Sequence, residues 1–457
     1  MKSLPQISIS EQLAEQFARS IPAIPQSMQT LCDSLLIDTA GLCVSARHQD
    51  YLQATIRASI EPGNCSLIGH SERVNVASAC LVNGTAIHGE DFDDTYEGGP
   101  IHAGAVIVPA ILAAAEQHQL SGADILSGIS VGSELMCRMC TVAPKLVHKA
   151  GFHPTAVFGA IAAAAGVATA LRLNQQQWVN ALGIAGSMAS GIIEYLAEGT
   201  WTKRMHPGWA AQSGYRAARL AQEGFTGPRT LFEGEHGFFH GFANKDDCDF
   251  TKMMAGLGEV WVSADMAFKP FACGTMAHPF IDCALELMKQ GLDVDAIEKM
   301  ECNTAEGILH RLWEPLSQKQ NPPNGYAAKF SIPYAIAVAM IRGDAGLNDY
   351  QEEVVHDPRI TSISNKITYI VDPNNPYPNQ FTGHIRVTLK DGSIREHAQG
   401  FFRGGRDAPM SIDALEKKFI ANCIYGGWSE SHAVQSLAVL RGLRTTQVVD
   451  LAVLRSA

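Results

Sequence analysis

Apolar positions recur at helical spacing from about Ser8 to about Leu257. Met28, Leu31, Leu35 and Leu36 make one such stripe, and Val106, Ala110, Leu112 and Ala113 make another beyond the His102-Ala103-Gly104 turn. Small residues fill Thr155 to Ala170 (Ala156, Gly159, Ala160, Ala163, Ala164, Gly166), which lets helices approach closely. Ser8 with Glu11 three residues on reads as a capping box that opens the first helix. No strand-like alternation of any length interrupts this region, and no fixed repeat period stands out.

The pattern changes after about Ala264. Ile297 to Thr304 reads as a strand, and Lys366-Ile367-Thr368-Tyr369-Ile370-Val371 as another, ended by Asp372-Pro373. Ile385 to Lys390, Asp391-Gly392 and Ser393 to His397 predict a β-hairpin with a type I′ turn. Helical spacing also occurs at Pro279 to Gln290 and Pro333 to Ile341, and it returns after Asp413. The fold class expected is mainly α. A large all-helical domain spans 1–264 and 410–457, with the C-terminal tail returning to it, and a smaller α+β domain spans 265–409.

A chain of 457 residues exceeds the size at which one hydrophobic core stops growing, consistent with two domains. With 46% apolar and 18% charged residues, long disorder is not expected. The net charge of −11 and the lack of a basic stripe argue against a nucleic-acid partner. An anionic ligand would need cations gathered locally. Met1-Lys2-Ser3-Leu4-Pro5-Gln6 lacks the apolar run of a secretory signal, and eleven cysteines form no framework spacing. Together these predict reduced thiols and a cytoplasmic protein. The uncharged stretches Pro154 to Leu171 and Leu173 to Ile193 are read as buried helices, so no membrane partner is expected.

Four segments concentrate polar chemistry between apolar runs. The first is His88-Gly89-Glu90-Asp91-Phe92-Asp93-Asp94-Thr95 with His102. Its acidic spacing departs from an EF-hand loop, and capping of the next helix is the structural alternative. The second is Gly151-Phe152-His153-Pro154-Thr155, where the His precedes a helix N-terminus that favours its neutral form. A capping turn with an incidental His is the alternative. The third, Gly199 to Trp209, places Lys203, Arg204 and His206 between two tryptophans. The fourth, Phe268-Lys269-Pro270-Phe271-Ala272-Cys273-Gly274, sets one Lys among apolar neighbours. In both, the alternative is a solvated surface charge. Cys137-Arg138-Met139-Cys140 has no second pair at metal spacing and reads as two buried helix thiols. Gly-rich phosphate loops are missing, so a nucleotide has no support.

Taken together and in order, Asp91 to Thr95 with His102, Gly151 to Thr155, Thr202-Lys203 with His206-Pro207-Gly208, Lys269-Pro270, and Phe330-Ser331-Ile332-Pro333-Tyr334 resemble the MmgE/PrpD family. That family includes 2-methylcitrate dehydratases, cis-aconitate decarboxylases and an iminodisuccinate epimerase. The resemblance implies a helical domain with a smaller α+β lid, a homodimer, and no metal or organic cofactor. It assigns site roles to Asp91, Thr95, His102, His153, Lys203, Lys269 and Tyr334. Two departures stand out: His102-Ala103 where the family often has His-Pro, and Gly274 where the decarboxylases carry a His.

The implied chemistry builds charge on a carbon beside a carboxylate of a small di- or tricarboxylate. Lys203 and Lys269, with Arg204 in reserve, would bind carboxylates and offset that charge. His153 or His102 would serve as base, Tyr334 or the other His as acid, and Asp91 would orient a His. The order of expectation is a hydro-lyase, then an epimerase of an amino-dicarboxylate, then a decarboxylase. A non-catalytic binding protein comes last.

Overall fold

The computed structural model describes residues 7–18 and 24–455; the reading of residues 1–6 lies outside them. The chain is mainly helical, at 58%, with a mixed sheet in the C-terminal region. It divides into two compact units. The first comprises Met1–Gly89, Asp93–Met266 and Ile412–Ala457; the second comprises Glu90–Phe92 and Ala267–Ser411.

The first unit is organised around the helix Pro154–Ala170, whose residues are all buried. His153 is extended at its N-cap, and Pro154 at the first helical position supplies a ring already set to helical φ. Helices Gly122–Val142, Thr202–Gln222, Gln175–Met188 and Gly104–His118 surround it. Small side chains set the spacing. A Cβ on Gly166 would stand 2.7 Å from the carbonyl oxygen of Gly128. Helices Val76–His88 and Thr202–Gln222 meet at another glycine pair, where a Cβ on Gly84 would lie 2.5 Å from Gly208 Cα. That crossing is tight because neither residue carries a side chain, and it brings the His88 end of one helix alongside the His206 turn of the other.

The helix Gly122–Val142 is long and apolar enough to cross a membrane by length and composition, and it is mostly buried against neighbouring helices. In its C-terminal third, Arg138 pairs with Glu134 at 2.6 Å and donates to the carbonyls of Met253, Ala255 and Val260. Glu134 also accepts the Ser263 N–H at 3.0 Å, so both buried charges are compensated. Cys137 and Cys140 lie in this helix as buried thiols, with burial pushing Cys140 up to about 12. The capping box at Ser8 and Glu11 is present at the start of Ile9–Phe17. Near the other end of the chain, Ile412–Tyr425 packs along Gln26–Ala46, where buried Lys418 pairs with Asp38 at 2.7 Å.

The first unit is not wholly helical. Pro62–Ser66 and Arg73–Val74 form a short antiparallel ladder. Its few residues are too short for alternation to register, which is why the pattern misses it.

In the second unit four strands line up in the order Ile367–Val371, Ile297–Thr304, Gly383–Leu389, Ile394–Gln399. The first pair is parallel and the other two antiparallel. Helix His278–Lys289 lies on the hairpin strands, and helix Ile332–Arg342 packs on that helix. The hairpin turn differs from expectation. Only Gly392 takes positive φ, at 82°, and Leu389 N–H bonds Ser393 O at 2.9 Å. A type I′ turn needs positive φ at both central residues. Here Lys390 joins Asp391 and Gly392 in a three-residue loop closed by the left-handed glycine.

Candidate active site

Helix Val76–His88 ends on His88, and helix Gly104–His118 begins soon after, so the acidic run between them is held at both ends. Its three aspartates do three different jobs. Asp94 caps the second helix, its carboxylate accepting the Gly104 N–H at 3.0 and 3.2 Å. Asp93, fully buried, holds His88 through an Nδ1–Oδ2 contact of 2.7 Å, and its Oδ2 lies 3.5 Å from His102 Nδ1. Asp91 belongs to the second unit and adopts left-handed φ of 54°.

His102 Nδ1 stands 2.6 Å from the carbonyl oxygen of Asp94. Two acceptors cannot share that distance, so Nδ1 carries the proton and donates it, leaving the lone pair of neutral His102 on Nε2. His88 is fixed in the same sense by Asp93. Donor atoms of His88, Asp93 and His102 lie within 4.8 Å of one another. The two Nδ1 atoms that face Asp93 are placed as donors, so Asp93 orients both rings and leaves their Nε2 atoms as the available lone pairs.

From this corner the imidazoles continue inward. His88 stacks on His153 with ring centres 5.6 Å apart, and His153 lies 5.3 Å from His206. The Nδ1 atoms of His153 and His206 are 3.1 Å apart. Tyr195 stands edge-on to both rings. Burial lowers the His153 pKa well below that of an ordinary imidazole, with His88, His206, Lys203 and His102 adding to the effect. Burial, His88 and Lys203 lower His206 to about 4. Both rings are therefore neutral at pH 7, and a neutral imidazole is a competent base. His206 also lines a cavity of about 580 Å³ with Gly191, Tyr195, Thr202, Met205 and Trp209.

Lys203 sits in the first turn of Thr202–Gln222, close enough to depress both imidazoles. Arg204 places its guanidinium 4.3 Å over the Tyr51 ring, a packing contact that accounts for this cation without a ligand. Thr95 is buried in the two-residue strand Thr95–Tyr96.

In the second unit, buried Lys269 donates to the Asp91 carbonyl at 2.7 Å, and the Tyr326 hydroxyl donates to Asp91 Oδ2 at 3.2 Å. Lys329 pairs with Glu90 at 2.6 Å and also donates to its carbonyl. Three side chains thus grip Glu90 and Asp91. The His-orienting role expected of Asp91 is filled for His88 by Asp93 instead.

Tyr334 is placed differently from the expectation. It is buried, and its hydroxyl donates to the Asp349 carbonyl at 2.5 Å. Burial pushes its pKa up further, so it stays protonated. The surrounding motif is a helix start: Ser331 Oγ accepts the Tyr334 N–H at 3.1 Å, and Pro333 occupies the first turn. The tyrosine that meets an acidic candidate is Tyr326, which no spacing marks out. His88 reads as the end of an apolar helix, and only the carboxylate five residues later hints at its partner.

The MmgE/PrpD N-terminal domain model matches residues 11–251, and the MmgE/PrpD C-terminal domain model matches 271–440. The chain is 30% identical over 415 residues to cis-aconitate decarboxylase of Mus musculus, covering 87% of this chain and 82% of the relative. A cis-aconitate decarboxylase-like protein of Aspergillus oryzae is 25% identical over 443 residues, 91% of each chain. A 2-methylcitrate dehydratase of Salmonella typhimurium is 25% identical over 424 residues, 85% of this chain and 84% of that one.

Proposed function

The chain belongs to the MmgE/PrpD family, and from that premise we propose that it is a lyase acting on a small tricarboxylate, with proton transfer by His153 at a carbon beside a carboxylate. The observation that carries the reading is the buried His88–His153–His206 cluster, whose His153 is held neutral at physiological pH. A base at the ordinary imidazole pKa would be partly protonated there, and this one is not.

Decarboxylation is the first reaction proposed, supported by cis-aconitate decarboxylase relatives at 26–31% identity against 23–25% for the dehydratases. In that reaction the carbon–carbon bond to one carboxylate breaks and its electron pair stays on carbon. The proton that closes the valence comes from solvent: His153 Nε2 takes it up and passes it to carbon as carbon dioxide departs. Lys203, beside the imidazoles, is assigned to a remaining carboxylate, where a cation offsets the growing charge.

Dehydration is the second reading, favoured by Gly274. A side chain there would have ordinary room, with its nearest neighbour 3.5 Å away, and the imidazole of the decarboxylases is missing. In dehydration the base removes the α-proton, a double bond forms, and hydroxide leaves as water after protonation. Epimerisation shares the first step and stops short of elimination.

Incubation with cis-aconitate, 2-methylcitrate and related acids in deuterated water, followed by NMR, separates the three. Carbon dioxide release, water loss, or deuterium exchange without a change of formula identifies the reaction. Inertness toward the whole panel would sink the lyase reading.

A further inference from the structure

The contact between His206 and His153 is of an unusual kind. Two Nδ1 atoms 3.1 Å apart accommodate one proton between them. With none, two lone pairs repel; with two, two N–H groups collide. The proton therefore sits on one ring and is accepted by the other.

We propose that His206 is a positioning residue: its Nδ1 accepts the proton on His153 Nδ1 and so leaves the His153 Nε2 lone pair for the reaction. This rests on the reading of His153 as base.

Two observations support the direction. His206 lines the 580 Å³ cavity, so the Nε2–H that an Nδ1 acceptor must carry belongs to the ring with access to that space. His88 and Tyr195 flank the His153 ring, whose Nδ1 edge is the one turned to His206. In addition, Gly191 ties the pair together. Its carbonyl accepts the His153 N–H at 2.8 Å, and a Cβ on it would stand 3.3 Å from His206 Nδ1. With φ at 131°, this position suits glycine and lets the backbone sit flush against the ring.

The arrangement resembles the way an acceptor behind a catalytic imidazole selects its tautomer, with a neutral ring in place of a carboxylate. When His153 Nε2 takes a proton, the Nδ1–H is already pointed at an acceptor, and the positive charge can be shared with His206. No other bond changes. An acceptor without negative charge also leaves His153 less basic than a carboxylate would, in keeping with a base that must release its proton again.

The test reads the tautomer directly. Long-range ¹H–¹⁵N spectra of ¹⁵N-histidine-labelled full-length protein would be recorded without substrate, with His153 assigned by difference from His153→Asn. We expect a protonated Nδ1 and a bare Nε2 on His153. His206→Ala should move the proton to Nε2 and lower kcat by at least about tenfold, with KM little changed. His206→Asn keeps an oxygen able to accept the same proton, so it should retain the wild-type pattern and recover most of the turnover. A His153 that carries Nε2–H in the wild type, or that ignores His206→Ala, overturns the proposal. If the tautomer responds to His206 but His153→Ala turns over normally, the positioning stands and the base assignment fails. If His153→Ala is inactive and the tautomer is indifferent to His206, the reverse holds.

Discussion

The hydroxyl of Tyr326 donates to Asp91 Oδ2 at 3.2 Å, while that of Tyr334 donates to the Asp349 backbone carbonyl at 2.5 Å. One phenol holds a side chain of the acidic run in the left-handed backbone region, and the other holds the short 3-10 helix Leu347–Tyr350. Removing each oxygen should therefore have different consequences. Tyr334→Phe leaves a carbonyl without its donor and should cost about 1–3 kcal/mol of stability with turnover of the folded enzyme intact. Tyr326→Phe should barely move the melting temperature, because its bond is longer and partly exposed, but should lower kcat/KM. Denaturant titration and kinetics on both variants check this, and a Tyr334→Phe protein of full stability and impaired kcat would return Tyr334 to the site.

His153→Ala should depress turnover by roughly 10²–10⁴-fold with little change in KM, the usual size of a general acid–base contribution. A His that only occupies a helix N-cap would instead cost about 1 kcal/mol and leave the chemistry alone. The melting temperature measured beside the kinetics separates the two. His102→Ala should follow His153→Ala if it is the partner acid, and change KM alone if it only binds.

The buried imidazoles also set the pH response. His206 has its pKa lowered from 6.5 to about 4 by burial, then by His88 and Lys203, and His153 is likewise lowered well below 6.5 by burial with His88, His206, Lys203 and His102. Between these values the unfolded chain binds protons that the folded one refuses. Stability therefore rises with pH: it is fully present above about 6.5 and is lost as pH falls toward the folded pKa. The loss from His206 alone is on the order of 3 kcal/mol at most. Urea midpoints measured from pH 7.5 down to pH 4 should fall steeply below pH 6.5. The acid limb of kcat/KM should also lie below the ordinary imidazole range, and a limb at 6.5 or above would contradict a neutral buried base.

Much of the fold is legible because it rests on periodicity. Thr155 to Ala170 announces a buried helix through its small residues, and Ile297 to Thr304 is a strand because Ile297, Met300, Cys302 and Thr304 all turn inward. The hairpin strands are legible too, but their register is not: a two-residue turn would pair Lys390 with Ser393, whereas Leu389 meets Ser393 and Thr388 pairs with Ile394. The candidate site is legible only as a set of segments. His153 and Lys269 stand out as polar residues in apolar surroundings, whereas the aim of a side chain at a helix end depends on neighbours distant in sequence. That is why Asp93, not Asp91, orients His88, and why the phenol that reaches Asp91 belongs to Tyr326, eight positions before the one singled out.

Tight helix crossings should be as sensitive as any site residue. A Cβ on Gly208 would lie 2.2 Å from the Leu81 carbonyl oxygen, a backbone atom that cannot swing away. Gly208→Ala should cost about 1–3 kcal/mol or more, the range for overpacking. It should also disturb the adjacent His206 and lower activity. Gly241→Ala is the control, because a Cβ there meets nothing within 4 Å. That variant should be neutral or slightly stabilising in the same unfolding assay.

The division of labour among Asp91, Asp93 and Asp94 gives the sharpest set of comparisons. Asp94→Ala removes the cap of Gly104–His118 and should cost about 0.5–2 kcal/mol, with a kinetic effect no larger than the structural loosening explains. Asp93→Asn keeps size and an oxygen acceptor but loses the charge beside two Nδ1–H groups. It should lower kcat more than it lowers the melting temperature, since an imidazolium formed in the cluster loses its nearest anion. Asp91→Asn should act mainly on kcat/KM through Tyr326 and the backbone that Lys269 grips. The same three proteins bear on metal chemistry. If His88, Asp93 and His102 formed an obligatory metal tripod, wild-type activity would fall on prolonged chelation and return with one metal, and Asp93→Asn would lose that metal by elemental analysis. An orienting network predicts the opposite: chelation leaves wild-type turnover unchanged, and Asp93→Asn alters kinetics with no change in metal content. A chelator-sensitive wild type rescued by a single metal would refute the assignment of Asp93 as a partner of imidazoles alone.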